Sequence, residues 1–302
     1  MEYHLTISEN SDIRIDKLIS DSIPELSRSF IQQLITEQSI LVNGKSCKSN
    51  YKCRENDIID IVYEEQKELD VVPENIPLNI VYEDNSIIIV NKPKNMVVHP
   101  SAGHESGTLV NALLYHCKDS LSTINGVIRP GIVHRIDMNT TGLLVVCKND
   151  HAHKLLAEQL KVHSITRKYH AICYGIIKED GTINAPIGRH PIDRKKMAIN
   201  HKNGREAITH YKVLKHLEKG YTYIECSLET GRTHQIRVHM ASIGHPILGD
   251  DVYGPQKTKI KNLIGQTLHA KTLGFIHPDS NEYIEFDSPL PDYFQQLIES
   301  LS

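Results

Sequence analysis

The stretch RPGIVHRIDMNTTGLLVVCKN, residues 129–149, sets three titratable or charged side chains, His134, Arg135 and Asp137, between two apolar runs. The runs, Ile132-Val133 and residues 143–146, read as strands. The triplet therefore falls in a loop at a sheet rim, where a rigid scaffold can turn polar side chains toward a cleft. Asp137 with Thr140, Thr141 and Gly142 equally fits a simple turn closed by a carboxylate that accepts backbone N–H groups. Outward from this stretch, residues 80–82, 87–90, 169–177, 211–217 and 221–228 are apolar and bounded by polar or Gly-containing turns, so they read as further strands. Residues 151–162 read as an amphipathic helix with Leu155, Leu156 and Leu160 on one face. Strands and helices do not alternate regularly, which predicts an α+β fold with a mixed sheet and not a doubly wound one.

Upstream lies a smaller unit. Ile15, Leu18 and Ile19 fall at helical spacing, and Ser27 can cap a second helix with Phe30, Ile31, Leu34 and Ile35 on its apolar face. Ile40-Leu41-Val42 runs into the tight-turn dipeptide Asn43-Gly44, and residues 57–61 alternate as a strand does. Residues 1–64 are thus expected to form a helix–helix–sheet domain. The acidic, Pro-containing residues 65–76 are expected to be a linker, and residues 77–302 a second domain. With 302 residues the chain can bury two cores, and 39% hydrophobic against 24% charged residues is ordinary globular usage. No apolar run approaches the roughly 20 residues of a membrane helix, and MEYHLTISEN lacks a signal-peptide pattern, so the cytoplasm is the expected compartment.

Six cysteines without a C-x-x-C pair read as reduced, packed thiols, and the eighteen histidines contain no zinc signature, so no metal is expected. The net charge of −3 hides a strong local asymmetry. Residues 188–215 carry Arg189, Arg194, Lys195, Lys196 and four more basic residues against Asp193 and Glu206. A polyanion senses that local field within a Debye length of about 8 Å. A merely solvated hairpin would look the same. A second basic cluster, ETGRTHQIRVHMASIGHPILGD, places Arg232, His234, Arg237 and His239 within eight residues. Thr233 is a plausible N-cap there, so Arg237 would project from a first helical turn toward a carboxylate on another segment. Covering such a carboxylate with substrate favours its neutral form, and a fixed guanidinium opposes that change. A purely structural ion pair is the alternative. In TRKYHA, residues 166–171, Tyr169 by itself reads as an edge-strand packing residue with a wet hydroxyl.

Taken together, these segments resemble the pseudouridine synthases of the RluA type, which isomerise uridine in folded RNA. HRID followed by Thr140-Thr141-Gly142, RKYHA, GRTHQIRVHM with HPILGD, VYEDNSIIIVNKP and GRHPIDRKKMAI carry the likeness in that family's order, from about residue 80 to residue 302. Ile136 and Thr141 stand where Leu and Ser are commoner. The first domain resembles an S4-like RNA-binding module through Ser27-Arg28 and Val42-Asn43-Gly44-Lys45.

The resemblance implies a catalytic domain on a mixed, mainly antiparallel sheet with a central cleft. It implies Asp137 as the catalytic aspartate, Tyr169 as the active-site tyrosine and Arg237 as the partner of Asp137. Arg135 becomes the side chain that enters the RNA stack when the target base leaves, with His134 positioning the loop. Arg232, Arg189, Lys195 and Lys196 are the remaining candidate RNA contacts. Isomerisation gains and loses no atoms, so no cofactor is expected. The implied partner is structured large-subunit (23S) ribosomal RNA, met by a monomer. A transfer-RNA-directed synthase, a noncatalytic RNA-binding adaptor and a hydrolase that releases uracil are the alternatives.

Overall fold

Local signals build the first unit. The Ser27 hydroxyl accepts the Phe30 N–H at 3.3 Å and starts helix α2, Arg28–Thr36, which follows α1, Ile15–Ser22. Strands β1, Glu2–Thr6, β2, Ile40–Val42, β3, Lys45–Ser46, and β4, Ile58–Val62, pair antiparallel in the order β1-β4-β2-β3. Asn43 and Gly44 both take positive φ in the β2–β3 turn, the geometry expected of that dipeptide. Ile15, Ile19, Ile31, Ile40, Ile59 and Ile61 seal the helices against the sheet. The computed structural model describes residues 1–8, 12–63, 71–101, 103–118, 120–126, 129–193, 196–255, 258 and 260–302.

The chain divides into two compact units, Met1–Glu68 and Leu69–Ser302. Residues 71–76, expected to be linker, are tied to the second unit. Val71 is buried in its core, the Asn111 side chain donates to the Val72 carbonyl at 2.8 Å, and the Glu74 carboxylate accepts the Gly107 N–H at 2.9 Å. Residues 65–70 of the expected linker, which carry its acidic run, lie outside the described residues.

In the second unit, strands β5, Ile80–Glu83, and β6, Ile87–Lys92, precede helix α3, Leu109–Cys117, strand β7, Thr141–Cys147, and helix α4, Asp150–Lys161. Strands β8, Thr166–Tyr174, β9, Gly181–Asn184, β10, Ile187–Arg189, β11, Met197–Ile199, β12, Ile208–Leu217, and β13, Tyr221–Leu228, follow. Helix α5, Gln235–Ser242, strands β14, Leu268–Ile276, and β15, Tyr283–Asp287, and helix α6, Asp292–Ser300, complete it. Among the described residues the main sheet has nine strands ordered β5-β6-β7-β14-β8-β13-β12-β9, with β15 on β14, while β10 and β11 make a separate hairpin. Every pairing in the main sheet is antiparallel except β7 with β14. The fold is α+β with a mixed sheet.

Strand β7 is buried along its whole length and brings the loop bearing Asp137 to the middle of the sheet. Gly142 has φ of 110°, and a Cβ there would lie 2.2 Å from the Ala270 carbonyl oxygen, so only glycine lets β7 and β14 approach. Ile132-Val133 does not form the expected strand. Ile132 makes a single bridge to Val146, leaving the chain before Asp137 free to curl back. No helix among the described residues is long and apolar enough to cross a membrane.

Candidate active site

Asp137 sits in a turn in which its carbonyl accepts the Thr140 N–H at 3.0 Å. Lys92, at the end of β6 and fully buried, clasps this turn from beneath. Its ammonium donates to the carbonyls of Pro93, Met96 and Met138 at 2.7, 2.9 and 3.0 Å. Burial pushes Lys92 down to about 7, opposed by the Asp137 charge. His134 is fixed from the other side, its Nε2 accepting the Val145 N–H at 3.1 Å. Burial, helped by the Arg167 charge, pushes His134 down to about 3. Its imidazole is thus neutral with the proton on Nδ1, a positioning group and not an acid. Arg135 is exposed at the mouth, with Nη1 3.4 Å from Nε2 of the buried His99.

The Asp137 carboxylate meets Arg237 from α5, whose Nη1 donates to Oδ2 at 2.9 Å. The same guanidinium makes a fork with Asp250, Nε to Oδ2 at 2.7 Å and Nη2 to Oδ1 at 2.9 Å. Asp250 is fully buried and also accepts the Val252 and Tyr253 N–H groups, both at 3.0 Å. Burial works against its charge, but the guanidinium and those amides outweigh it and hold the carboxyl below its ordinary range. Arg237 is therefore a buried cation shared between two carboxylates. Asp250 fixes the fork, and Asp137 takes a further donor, on Nη1.

Helix α5 does not begin at the expected Thr233 cap. His234 is the N-cap, in the left-handed conformation with φ of 57° and without a side-chain cap bond. The Gln235 side-chain oxygen instead ties down the chain entering the helix, accepting the Thr230 hydroxyl at 2.8 Å and the Arg232 N–H at 2.9 Å. This swings the His234 ring toward Asp137, with Nε2 3.8 Å from Oδ1.

Tyr169 lies in β8, between β14 and β13, and is buried. It is not the edge residue with a wet hydroxyl that its bare sequence context suggests. Burial raises its phenol above the ordinary value, with the Arg167 charge opposing and the Asp137 charge adding. Asp137, Tyr169 and Arg237, drawn from segments far apart in sequence, all line one cavity of about 310 Å³, and so do His134, Arg135 and Arg232. That volume is at the lower end of small-molecule sites, about 300–1,000 Å³. Asp137 is the single carboxylate in its lining among the described residues.

Residues 86–242 match the family model for RNA pseudouridylate synthase, and residues 13–59 match that for the S4 domain. The chain belongs to the RNA pseudouridylate synthase family. It is 50% identical over 294 residues to the RNA pseudouridine synthase YlyB of Bacillus subtilis, covering 97% of this chain and 95% of that protein. It is 43% identical over 307 residues to the ribosomal large subunit pseudouridine synthase D of Escherichia coli K12, covering 97% and 92%. Among solved structures, human RNA pseudouridylate synthase domain containing 1 superposes with a TM-score of 0.57 at 26% identity, over 78% of this chain and 97% of that one.

As a pseudouridine synthase, the protein is an isomerase of RNA uridines, and its first unit is an RNA-binding S4 domain. The sequence-based candidates divide cleanly in space. Arg189 and Lys196 do not line the synthase cavity; they belong to the β10–β11 hairpin, and Lys195 lies outside the described residues. Sequence reasoning assigns no role to Lys92, Arg167 or Asp250, although NKP, TRKYHA and HPILGD all stand out as motifs. The signal that could find Asp250 is stoichiometric. A guanidinium has five N–H donors, so an arginine buried against one aspartate needs further acceptors, and the aspartate of HPILGD is close by in the sequence. Arg167 is likewise buried and lines the cavity, its Nη2 donating to the Glu229 carbonyl at 2.9 Å.

Proposed function

We propose that this synthase isomerises specific uridines of large-subunit ribosomal RNA, working as a monomer in the cytoplasm, with Asp137 acting at the ribose. The observation that carries the reading is the convergence of Asp137, Tyr169 and Arg237 on one cavity, with Asp137 bonded to an arginine that Asp250 already orients. As the N1–C1′ bond breaks, positive charge develops on the sugar, and a fixed carboxylate is the group to stabilise it, trap it or take a proton from it. Arg237 supplies the counter-charge that keeps Asp137 aimed when substrate displaces water. After the uracil turns and C5 bonds to C1′, the C5 proton must leave. Tyr169, a neutral phenol in its buried setting, suits stacking against the base and relaying that proton. Arg135, exposed at the mouth, is placed to fill the space left by the extruded nucleotide, an extrusion that costs a few kcal/mol.

The ribosomal target follows the named Escherichia coli relative and an enzyme of the same name from Zymomonas mobilis at 46% identity. Asp137→Asn tests the chemistry. The variant should fold, bind RNA and release no tritium from RNA labelled at uracil C5, whereas wild-type release would refute the role. Pseudouridine mapping of ribosomal RNA from cells with and without the gene tests the substrate, and an unchanged map would redirect the search to other RNAs.

A further inference from the structure

The left-handed backbone of His234 is a strained conformation that non-glycine residues rarely adopt. It brings no benefit to the helix, since the His234 side chain makes no cap bond. Its use lies elsewhere. Nδ1 is 2.7 Å from the Tyr253 hydroxyl, and the two rings meet edge to face at 5.6 Å. The Tyr253 hydroxyl in turn accepts the Met197 N–H at 2.9 Å. A hydroxyl has one proton to give, and with Met197 as its donor, Nδ1 is the acceptor that satisfies it. The imidazole proton is then on Nε2, directed at Oδ1 of Asp137, the oxygen that Arg237 leaves free. Met197 opens β11, and its side chain packs with Ile187, Ile199 and Tyr253 around Val238 of α5. A hydrogen-bonded chain thus runs from the backbone of the basic hairpin through Tyr253 to the His234 ring, whose Nε2 stands 3.8 Å from the carboxylate.

We infer that His234 is a positioning residue for the isomerisation: it sets the rotation of the Asp137 carboxylate through Oδ1 and, by way of Tyr253 and the Met197 amide, ties that rotation to the hairpin bearing Arg189 and Lys196. The inference rests on the reading above in which Asp137 acts at the ribose. The gap of 3.8 Å is longer than a hydrogen bond, and bonds of this kind tighten when substrate is seated. Arg237 holds one oxygen and His234 the other, so the carboxylate has a single orientation only when both are engaged.

The test uses the full chain and a ribosomal RNA transcript tritiated at uracil C5, with His234→Gly, Tyr253→Phe, the double variant and Asp137→Asn side by side. Glycine accepts φ of 57° without strain, so His234→Gly removes the ring and not the backbone geometry. We expect kcat to fall about 10- to 100-fold in each of the two single variants, the worth of one charge-assisted hydrogen bond. RNA dissociation constants should stay near wild type, and the double variant should be no slower than the worse single one, because both changes cut the same chain. Wild-type kcat in His234→Gly and Tyr253→Phe would overturn the inference. So would a fall in kcat matched by an equal weakening of RNA binding, which would assign both residues to holding the fold. Should the glycine variant fail to fold, Tyr253→Phe, which keeps the ring packing, decides alone. Turnover by Asp137→Asn would instead refute the reading beneath, whereas a dead Asp137→Asn beside unimpaired His234 and Tyr253 variants would remove only the role of His234.

Discussion

Replacing Asp250 by Asn should damage both stability and catalysis, by amounts that the geometry sets. Oδ1 of Asp250 accepts Arg237 Nη2 and the Val252 and Tyr253 amides, while Oδ2 accepts Arg237 Nε at 2.7 Å. An asparagine keeps its oxygen where three donors converge, which puts its NH2 against the Arg237 Nε–H, donor facing donor. Arg237 is 5% exposed and would be left with Asp137 as its one counter-charge. Removing one partner of a buried ion pair costs about 3–5 kcal/mol. In a unit of this size that lowers Tm by about 10 °C. With the fork loosened, the guanidinium no longer defines where Asp137 points, and a displacement of about 1 Å at a reacting group can cost about a hundredfold in rate. Thermal unfolding and tritium release, the latter measured well below the lowered Tm, read the two effects separately. A lowered Tm with wild-type kcat would refute the claim that Asp250 orients the site through Arg237, and no change in either would refute the energetic role as well.

Gly142→Ala should cost about 3 kcal/mol or more, because the new methyl meets the Ala270 carbonyl and the backbone keeps φ of 110°; a near-normal Tm would mean that β7 and β14 separate easily. Replacing Arg189 and Lys196 by Gln should weaken RNA binding and lower its salt slope by about one for every phosphate no longer neutralised; an unchanged slope would turn the hairpin away from RNA. Stability should also fall on mild acidification. Burial, reinforced by neighbouring cationic groups, holds His134 down to about 3 and His99 and His269 to about 4. The unfolded chain takes up a proton at each near 6.5, while the folded chain refuses it until about pH 4 or 3. The loss therefore begins as pH drops below about 6.5, on the order of 1 kcal/mol per pH unit for each histidine. A flat urea midpoint between pH 7 and 5 would contradict it.

Elements with local signatures are legible in the sequence. Ser27 and Asn43-Gly44 punctuate the first unit as their chemistry demands, and the apolar runs of β6, β7, β8 and β13 appear where the alternation and turns place them. Helix α3 escapes such a reading because Leu109, Val110, Ala112 and Leu113 are all buried, and a helix covered on most sides shows little polar periodicity. Helix α4 is visible in the pattern, yet Leu155, expected on its apolar face, is exposed while His153 is buried. In the site, HRID and GRTHQIR stand out because charge interrupts apolar sequence. Lys92 and Asp250 do not, since their partners are backbone carbonyls and a guanidinium brought from other segments, and those pairings exist only in three dimensions. The left-handed turn at His234 gives no compositional sign at all, because glycine or asparagine usually marks such a position.

The parallel pairing of β7 with β14 has a consequence for the order of assembly. Strand β14 lies between β7 and β8, so the segment carrying Asp137 and the segment carrying Tyr169 become neighbours only after a strand roughly a hundred residues downstream has been threaded between them. Such distant closure is slow. On a translating ribosome the S4 unit can condense early, whereas the catalytic cleft stays open until β14 has cleared the exit tunnel. The cleft is thus among the last features of the chain to be completed.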